Sequence, residues 1–397
     1  MDMQKVKLIH HQYLSAPNGA NTVMNALLNS KEQFARNEIE ISSLTPDLFA
    51  PRSFSPSDQK QIKYNLRAKI KQLLKSATKY SRLAADIMIY ITEIRPAKKI
   101  IKAYLAMQPA EDEVAFFHTL VPCYYYLKQR THNQPVVVVC HTNGDNFKMS
   151  RIYYPALERS RVYKKLKQME DYVLRNANAI NFVSRLSARN FVELHPDVDP
   201  NKVSYIYNGV PDIIRAAESN DRSNVLEICC VASVSKRKGQ HYIVEALERF
   251  NKDERPRVHF TIVGDGPDRN ALEERVKRAG LNNYITFAGV SQNVDSYLVN
   301  SDIYILPSED EGLPMAIIEA MRASLPIVST PVGGIPEMVE DKTNGVMINP
   351  CSDDIYHLLR DIEKYDWAEM GKNARKTYEE KFTVEKMVDG YINLLKF

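Results

Sequence analysis

Ile303-Tyr-Ile-Leu-Pro-Ser-Glu-Asp-Glu-Gly-Leu-Pro-Met-Ala-Ile-Ile-Glu-Ala-Met-Arg-Ala-Ser-Leu-Pro-Ile-Val-Ser329 reads as strand, turn, helix and strand. The short apolar runs Ile303–Leu306 and Ile327–Ser329 fit buried strands, and the stretch from Met315 has the 3.6-residue period of a helix. A helix between two buried strands is the crossover of a parallel pair. The same alternation runs upstream through Leu226–Val231, a helix over 240–251, Val258–Val263, a helix over 268–279 and a strand over 285–288. A separate series of strands is expected at 6–9, Val114–Phe117, Val136–Cys140, 180–183 and 203–207. The class is therefore α/β, with two doubly wound parallel-sheet domains and a ligand cleft at the carboxyl ends of their strands. A polar stretch around Glu218, Ser219, Asn220 and Asp221 sets the division: a first domain over 1–210, a linker over 211–224 and a second domain over 225–380. The tail from 353 to 397 is expected to be helical throughout, its last helix, within 381–397, crossing back to the first domain.

The 397 residues, 44% hydrophobic and 26% charged, exclude a disordered chain, and no repeat of solenoid or propeller period occurs. No apolar run is long and uncharged enough to span a bilayer, and residues 1–11 lack the apolar core of a signal peptide, so a cytoplasmic protein is expected. Five cysteines without a C-x-x-C pair fit a reducing compartment and argue against structural zinc.

The motif that carries chemistry is Glu311 at the strand-to-helix turn and Glu319 two helical turns on, followed by Gly333-Gly-Ile-Pro-Glu337. The backbone N–H groups of Leu313, Met315 and Ala316 open that helix, where an anion is favoured and a diphosphate fits. Carboxylates there can accept hydrogen bonds from sugar hydroxyls. Gly264 and Gly266 lack the third glycine of a nicotinamide fingerprint, Arg269 standing in its place, so they read as a tight turn that opens backbone to a nucleotide. Asp197-Val-Asp199, flanked by prolines, reads as loop capping, and no metal is expected.

These residues resemble the retaining GT-B glycosyltransferases of family four (glycosyl transferases group 1), in bacterial glycan and polysaccharide biosynthesis. Glu311 and Glu319 match the paired glutamates, Lys236-Arg-Lys-Gly239 the Lys-Gly phosphate motif, and Ile262-Val-Gly-Asp-Gly-Pro267, Phe287-Ala-Gly289 and Ser301-Asp302 the strand ends between them. The resemblance implies a hexosyltransferase using a nucleoside diphosphate sugar, expected to be UDP-linked, with retention of configuration and no cofactor or metal. It gives Lys238 the diphosphate, Glu311 the transferred sugar and Glu319 the ribose. Many members carry Arg where this chain has Ser233; losing that charge-assisted contact costs about 1.5–3 kcal/mol unless Arg237, Lys236 or Arg185 replaces it. That departure leaves open a catalytically silent partner subunit, and the fold leaves open a sugar-nucleotide epimerase.

In the first half, Asn18-Gly19-Ala20 resembles the family's glycine loop, and Val183-Ser-Arg185 its strand-end Val-Ser. His118 and His141 each follow a strand; His141 falls where the family touches the transferred sugar, while His118 and Asn18 are placed on the acceptor side.

Charge is uneven. Residues 1–205 hold 30 basic and 18 acidic side chains, whereas 206–397 hold 23 and 31. Twelve cations fall between Lys60 and Lys102 against Asp86 and Glu93, interleaved with Ile70, Leu73, Leu83, Ile91 and Ile100. Basic amphipathic helices suit an anionic membrane surface, which points to a glycan or lipid-linked acceptor at the inner leaflet, and the absence of a recognition module argues against nucleic acid.

Overall fold

A computed structural model describes residues 3–15, 18–49, 66–213 and 224–397, those of 66–70 as backbone only. It divides into two compact units, Met1–Ile206 with Met387–Phe397, and Tyr207–Lys386. Residues 207–213 thus go with the second unit: the Tyr207 hydroxyl donates to Glu337 at 2.7 Å and the Tyr378 hydroxyl to the Val210 carbonyl at 3.0 Å. Most of the expected linker, 214–223, lies outside the described residues.

In the first unit six strands, β1 (Gln4–Ile9), β2 (Ile39–Leu44), β3 (Val114–Phe117), β4 (Val136–Cys140), β5 (Ala179–Phe182) and β6 (Val203–Tyr205), pair in parallel in the order β2-β1-β3-β4-β5-β6. Every residue of β3 and β4 is buried, because helices cover both faces of a parallel sheet and uninterrupted apolar runs are what such strands require. β2 differs from that pattern and from the sequence reading, which passed over it. Its buried Ile39 and Ile41 alternate with exposed Glu40, as an edge strand permits. The last helix, Val384–Leu395, puts Tyr391 in this unit's core, 5.7 Å from the Phe116 ring.

The second unit has β7 (Leu226–Val231), β8 (Val258–Val263), β9 (Ile285–Gly289), β10 (Ile303–Leu306), β11 (Ile327–Ser329) and β12 (Gly345–Met347), all parallel, in the order β12-β11-β10-β7-β8-β9. The three-residue β12 was also missed, being too short to show a period. The tail is not helical throughout. Tyr365 is extended and Asp366 starts a new helix, Trp367–Lys381, by accepting from the Glu369 N–H, and Phe382 separates that helix from the last one.

In each sheet the chain order reverses once, between β1 and β3 in the first unit and between β7 and β10 in the second, and such switch points open a crevice at the carboxyl ends of the strands. At the second, glycines let the loops meet. Gly239 (φ 75°) stands where a Cβ would be 1.9 Å from the Pro307 carbonyl, and Gly333 (φ 55°) where one would be 1.8 Å from the Glu311 carbonyl. Gly333→Ala is therefore expected to cost about 1–3 kcal/mol or more in denaturant unfolding, the strain of its backbone adding to the clash. An unchanged midpoint would show that the loop of Glu311 does not depend on this contact.

Candidate functional site

The loops after β7 and β10 bring Lys238 and Glu311 together. Lys238 ends the short turn Lys236–Lys238, just beyond the β7 strand end, and its Nζ lies 2.5 Å from Glu311 Oε1. The Ser308 hydroxyl donates to the same oxygen at 2.7 Å, and Arg237 Nη1 lies 3.8 Å from Oε2 while donating to the Asp310 carbonyl at 2.5 Å. The Glu311 and Lys238 side chains are only 8% and 14% exposed, so this pair is weakly screened. Arg237 stands as a second cation beside the carboxylate, whereas Ser233, two residues beyond β7, is exposed. Pairing within the site was not visible in the sequence reading, which gave Lys238 and Glu311 separate partners.

Leu313 and Met315 are buried beside this pair in sequence, and the helix Met315–Arg322 opens after Pro314 with no side-chain cap, leaving its first turn, with Ala316, suited to an anion. Glu319 lies on that helix. Loss of hydration pushes its carboxyl up to about 7, Arg322 opposing and Asp295 adding to the shift, although part of the residue remains at the surface. The native state thus keeps a proton that the unfolded chain releases between about pH 4.5 and pH 7, so this residue's contribution to stability is complete below about pH 4.5 and is lost as pH rises to 7. Glu319→Gln, which mimics the protonated form, should have a melting temperature that gains on wild type between pH 5 and pH 8. A constant difference across that range would place Glu319 in an unperturbed setting.

Gly264 and Gly266 also have a packing role that the sequence does not show. A Cβ at Gly264 (φ 142°) would lie 2.0 Å from the Ala232 carbonyl and one at Gly266 2.1 Å from the Val234 carbonyl. They are glycine because the loop after β8 packs directly on the loop after β7, which fixes Ser233 and the approach to Lys238.

The first unit has its own cluster. His10, His118 and His141 follow the last residues of β1, β3 and β4, and His118 Nδ1 lies 2.9 Å from His141 Nε2, the rings stacked 20° from parallel. Burial holds His141 down at about 4, and holds His118 and His10 well below the ordinary histidine range, the adjacent histidines further disfavouring a positive charge on them. All three are neutral at pH 7. His11, next along the chain, bonds Glu93 at 3.0 Å and the Thr119 hydroxyl at 3.2 Å. A cavity of about 270 Å³ opens here, lined by His10, Asn18, Glu93, His118 and His141 among others. The sequence reading found His118 and His141 but missed His10, although it too directly follows a strand.

Asn18 also caps the helix Gly19–Asn29, accepting from the Asn21 N–H at 2.9 Å, with Gly19 exposed as the first helical residue. Arg185, exposed, opens the helix Arg185–Leu194 behind the Ser184 cap. Asp199 accepts from the Asn201 N–H at 3.0 Å, a capping bond. Among the described residues no group of three or more His, Cys, Asp or Glu side chains is arranged to hold a metal ion, and no helix is long and apolar enough to cross a membrane.

Two family models match in tandem: the one described as Glycosyltransferase Family 4 over residues 33–212, and the one described as Glycosyl transferases group 1 over 212–377. Among curated proteins, the N-acetyl-alpha-D-glucosaminyl L-malate synthase of Bacillus anthracis is 28% identical over 213 residues, 50% of this chain and 55% of that protein. The alpha-D-kanosaminyltransferase of Streptomyces kanamyceticus is 27% identical over 269 residues, 63% and 67% of the two chains. The match thus spans about half the length of the first relative. Among solved structures, HepE of Anabaena in complex with UDP-glucose superposes with a TM-score of 0.68 at 18% identity, over 98% of this chain and 99% of that one.

Proposed function

The chain belongs to the glycosyl transferases group 1 family, with the two Rossmann-like domains of the GT-B fold, and from that premise we propose that it transfers a hexose-type sugar from a nucleoside diphosphate donor, UDP-linked, to a hydroxyl of a glycan or lipid-linked glycan. The observation that carries this reading is the convergence of Lys238, Arg237 and Glu311 at the switch point of the second sheet. A departing diphosphate gains negative charge, which Lys238 and the uncapped turn at Met315 and Ala316 are suited to stabilise. Glu311, held by two cations and Ser308, is a poor nucleophile and a good acceptor for sugar hydroxyls.

Retention follows in this reading from same-face attack: the acceptor oxygen bonds to the anomeric carbon as its bond to the phosphate oxygen breaks, and that phosphate oxygen takes the acceptor's proton. His141 positions the sugar as a neutral ring. No metal is required, since the cations of the chain supply the charge. Arg237 beside Glu311 offsets the missing arginine at Ser233 and favours an active enzyme over a silent subunit.

The basic segment supports an acceptor at an anionic membrane surface on the cytoplasmic side. Lys60 and Lys63 lie outside the described residues, as do the side chains of Arg67, Lys69 and Ile70, but Lys71, Lys75, Lys79, Arg82, Lys98 and Lys99 are exposed, with Leu73 and Leu83 outward among them. Ile100 instead faces the core.

The test is release of nucleoside diphosphate from UDP-, GDP- and ADP-sugars with membrane extract as acceptor. One donor should turn over only with acceptor, and Glu311→Ala and Lys238→Ala should each lose on the order of 10²-fold or more. Binding of a donor without turnover would identify a silent partner, and conversion of donor without acceptor an epimerase.

A further inference from the structure

We propose that Glu170, a buried carboxylate behind the loop that follows β4, is a positioning residue of the transfer reaction. Through Asn146 it fixes the direction in which the Thr142 hydroxyl, next to His141, carries its proton. The proposal rests on the transfer reading and extends it to a residue that touches no reacting group.

Glu170 lies on the helix Arg161–Asn176, whose other buried residues, Leu166, Met169, Val173 and Leu174, are all apolar. It is 0% exposed. A leucine would fill that stripe at no electrostatic cost, whereas a carboxylate there gives up its hydration and must be met by donors. Both oxygens are met. Oε1 accepts from Asn146 Nδ2 at 2.9 Å, while Oε2 takes the Lys167 ammonium and lies 3.8 Å from His195 Nε2.

The chain of bonds continues, because Asn146 Oδ1 is 3.0 Å from Thr142 Oγ1. A carboxylate paired with an ammonium can only accept, so Asn146 must turn its NH2 to Glu170 and its carbonyl oxygen to Thr142. A hydroxyl facing a carbonyl oxygen must donate. The Thr142 proton is therefore committed to Asn146, and Thr142 offers only lone pairs to the cavity that it lines. The loop's backbone is held by other groups. A Cβ at Gly144 (φ 90°) would be 2.9 Å from the Phe191 nitrogen, Asn143 Oδ1 accepts from Asn190 Nδ2 at 3.0 Å, and Asp145 accepts from the Phe147 N–H at 3.1 Å. What Glu170 adds to this loop is the direction of its hydrogen bonds.

Glu170→Gln reverses that direction with almost no change of shape. Lys167 has only donors and draws the new amide's oxygen, which leaves the amide's NH2 facing Asn146. Asn146 then turns over, its own NH2 bonds the Thr142 oxygen, and the hydroxyl proton is set free.

The experiment measures kcat and donor KM on the full chain for wild type, Glu170→Gln, Thr142→Val and the double variant, using the donor that wild type turns over. It also records side-chain amide NMR signals with nitrogen-labelled asparagine. Each single variant should lower kcat by about tenfold with donor KM within about twofold, and the double should be no slower than the slower single, since both act through one chain. In the spectrum one Asn146 amide proton should be shifted downfield in wild type, as a proton held by a carboxylate is, and should return to the ordinary range in Glu170→Gln. Wild-type kcat in Glu170→Gln, or losses that multiply to about a hundredfold in the double, would overturn the proposal. So would an ordinary Asn146 signal in wild type, a result that stands even if Glu170→Gln does not fold. A wild type that transfers from no donor would count against the transfer reading instead, and the Asn146 signal would still decide whether Glu170 orients this loop.

Discussion

The ion pair between Lys238 and Glu311 organises the second unit's site. It joins the loop after β7 to the loop after β10 across the point where the sheet's order reverses, at 2.5 Å and largely out of water. Removing one member of such a pair leaves an uncompensated charge and costs roughly 3–5 kcal/mol, far more than the pair contributes relative to an apolar one. Natural sequences keep an arrangement of that kind where the charges have a further use. In the function proposed for this chain, the cation is stored beside a carboxylate with which an incoming diphosphate competes. The close backbone approaches at Gly239 and Gly333 hold both loops at the distance the pair needs.

Much of this was legible in the sequence. Strands such as Val136–Cys140 announce themselves because burial on both faces demands unbroken apolar residues, and the spacing of Glu311 and Glu319 is local to one turn and one helix. What escaped is what depends on long-range pairing. Ile39–Leu44 alternates as an edge strand, and only its register against β1 makes it part of the sheet. Lys238 and Glu311 are 73 residues apart, and no local pattern says that they touch. Gly264 and Gly266 also make room for the carbonyls of residues 232 and 234, a contact between two loops that no local pattern announces. His10 could have been found by asking which residue follows each strand, the question that located His118 and His141.

The two units apply one topological device with opposite electrostatics. Each has a switch point with polar side chains on the loops beyond the strands. In the second the wall presents Lys238 and Arg237, while in the first it presents histidines that burial keeps neutral. The basic segment of the first unit lends Ile89 and Glu93 to the cavity wall, while none of its Lys or Arg side chains is among the described lining residues.

The most direct measurement of the central claim is calorimetric titration of UDP into wild type and Glu311→Gln. If Glu311 holds Lys238 in reserve, freeing the lysine should tighten UDP binding, by about tenfold for 1.4 kcal/mol, even as sugar transfer is lost. UDP affinity that is unchanged or weaker in Glu311→Gln would contradict the account, because Lys238 would then not be the cation that the nucleotide takes over.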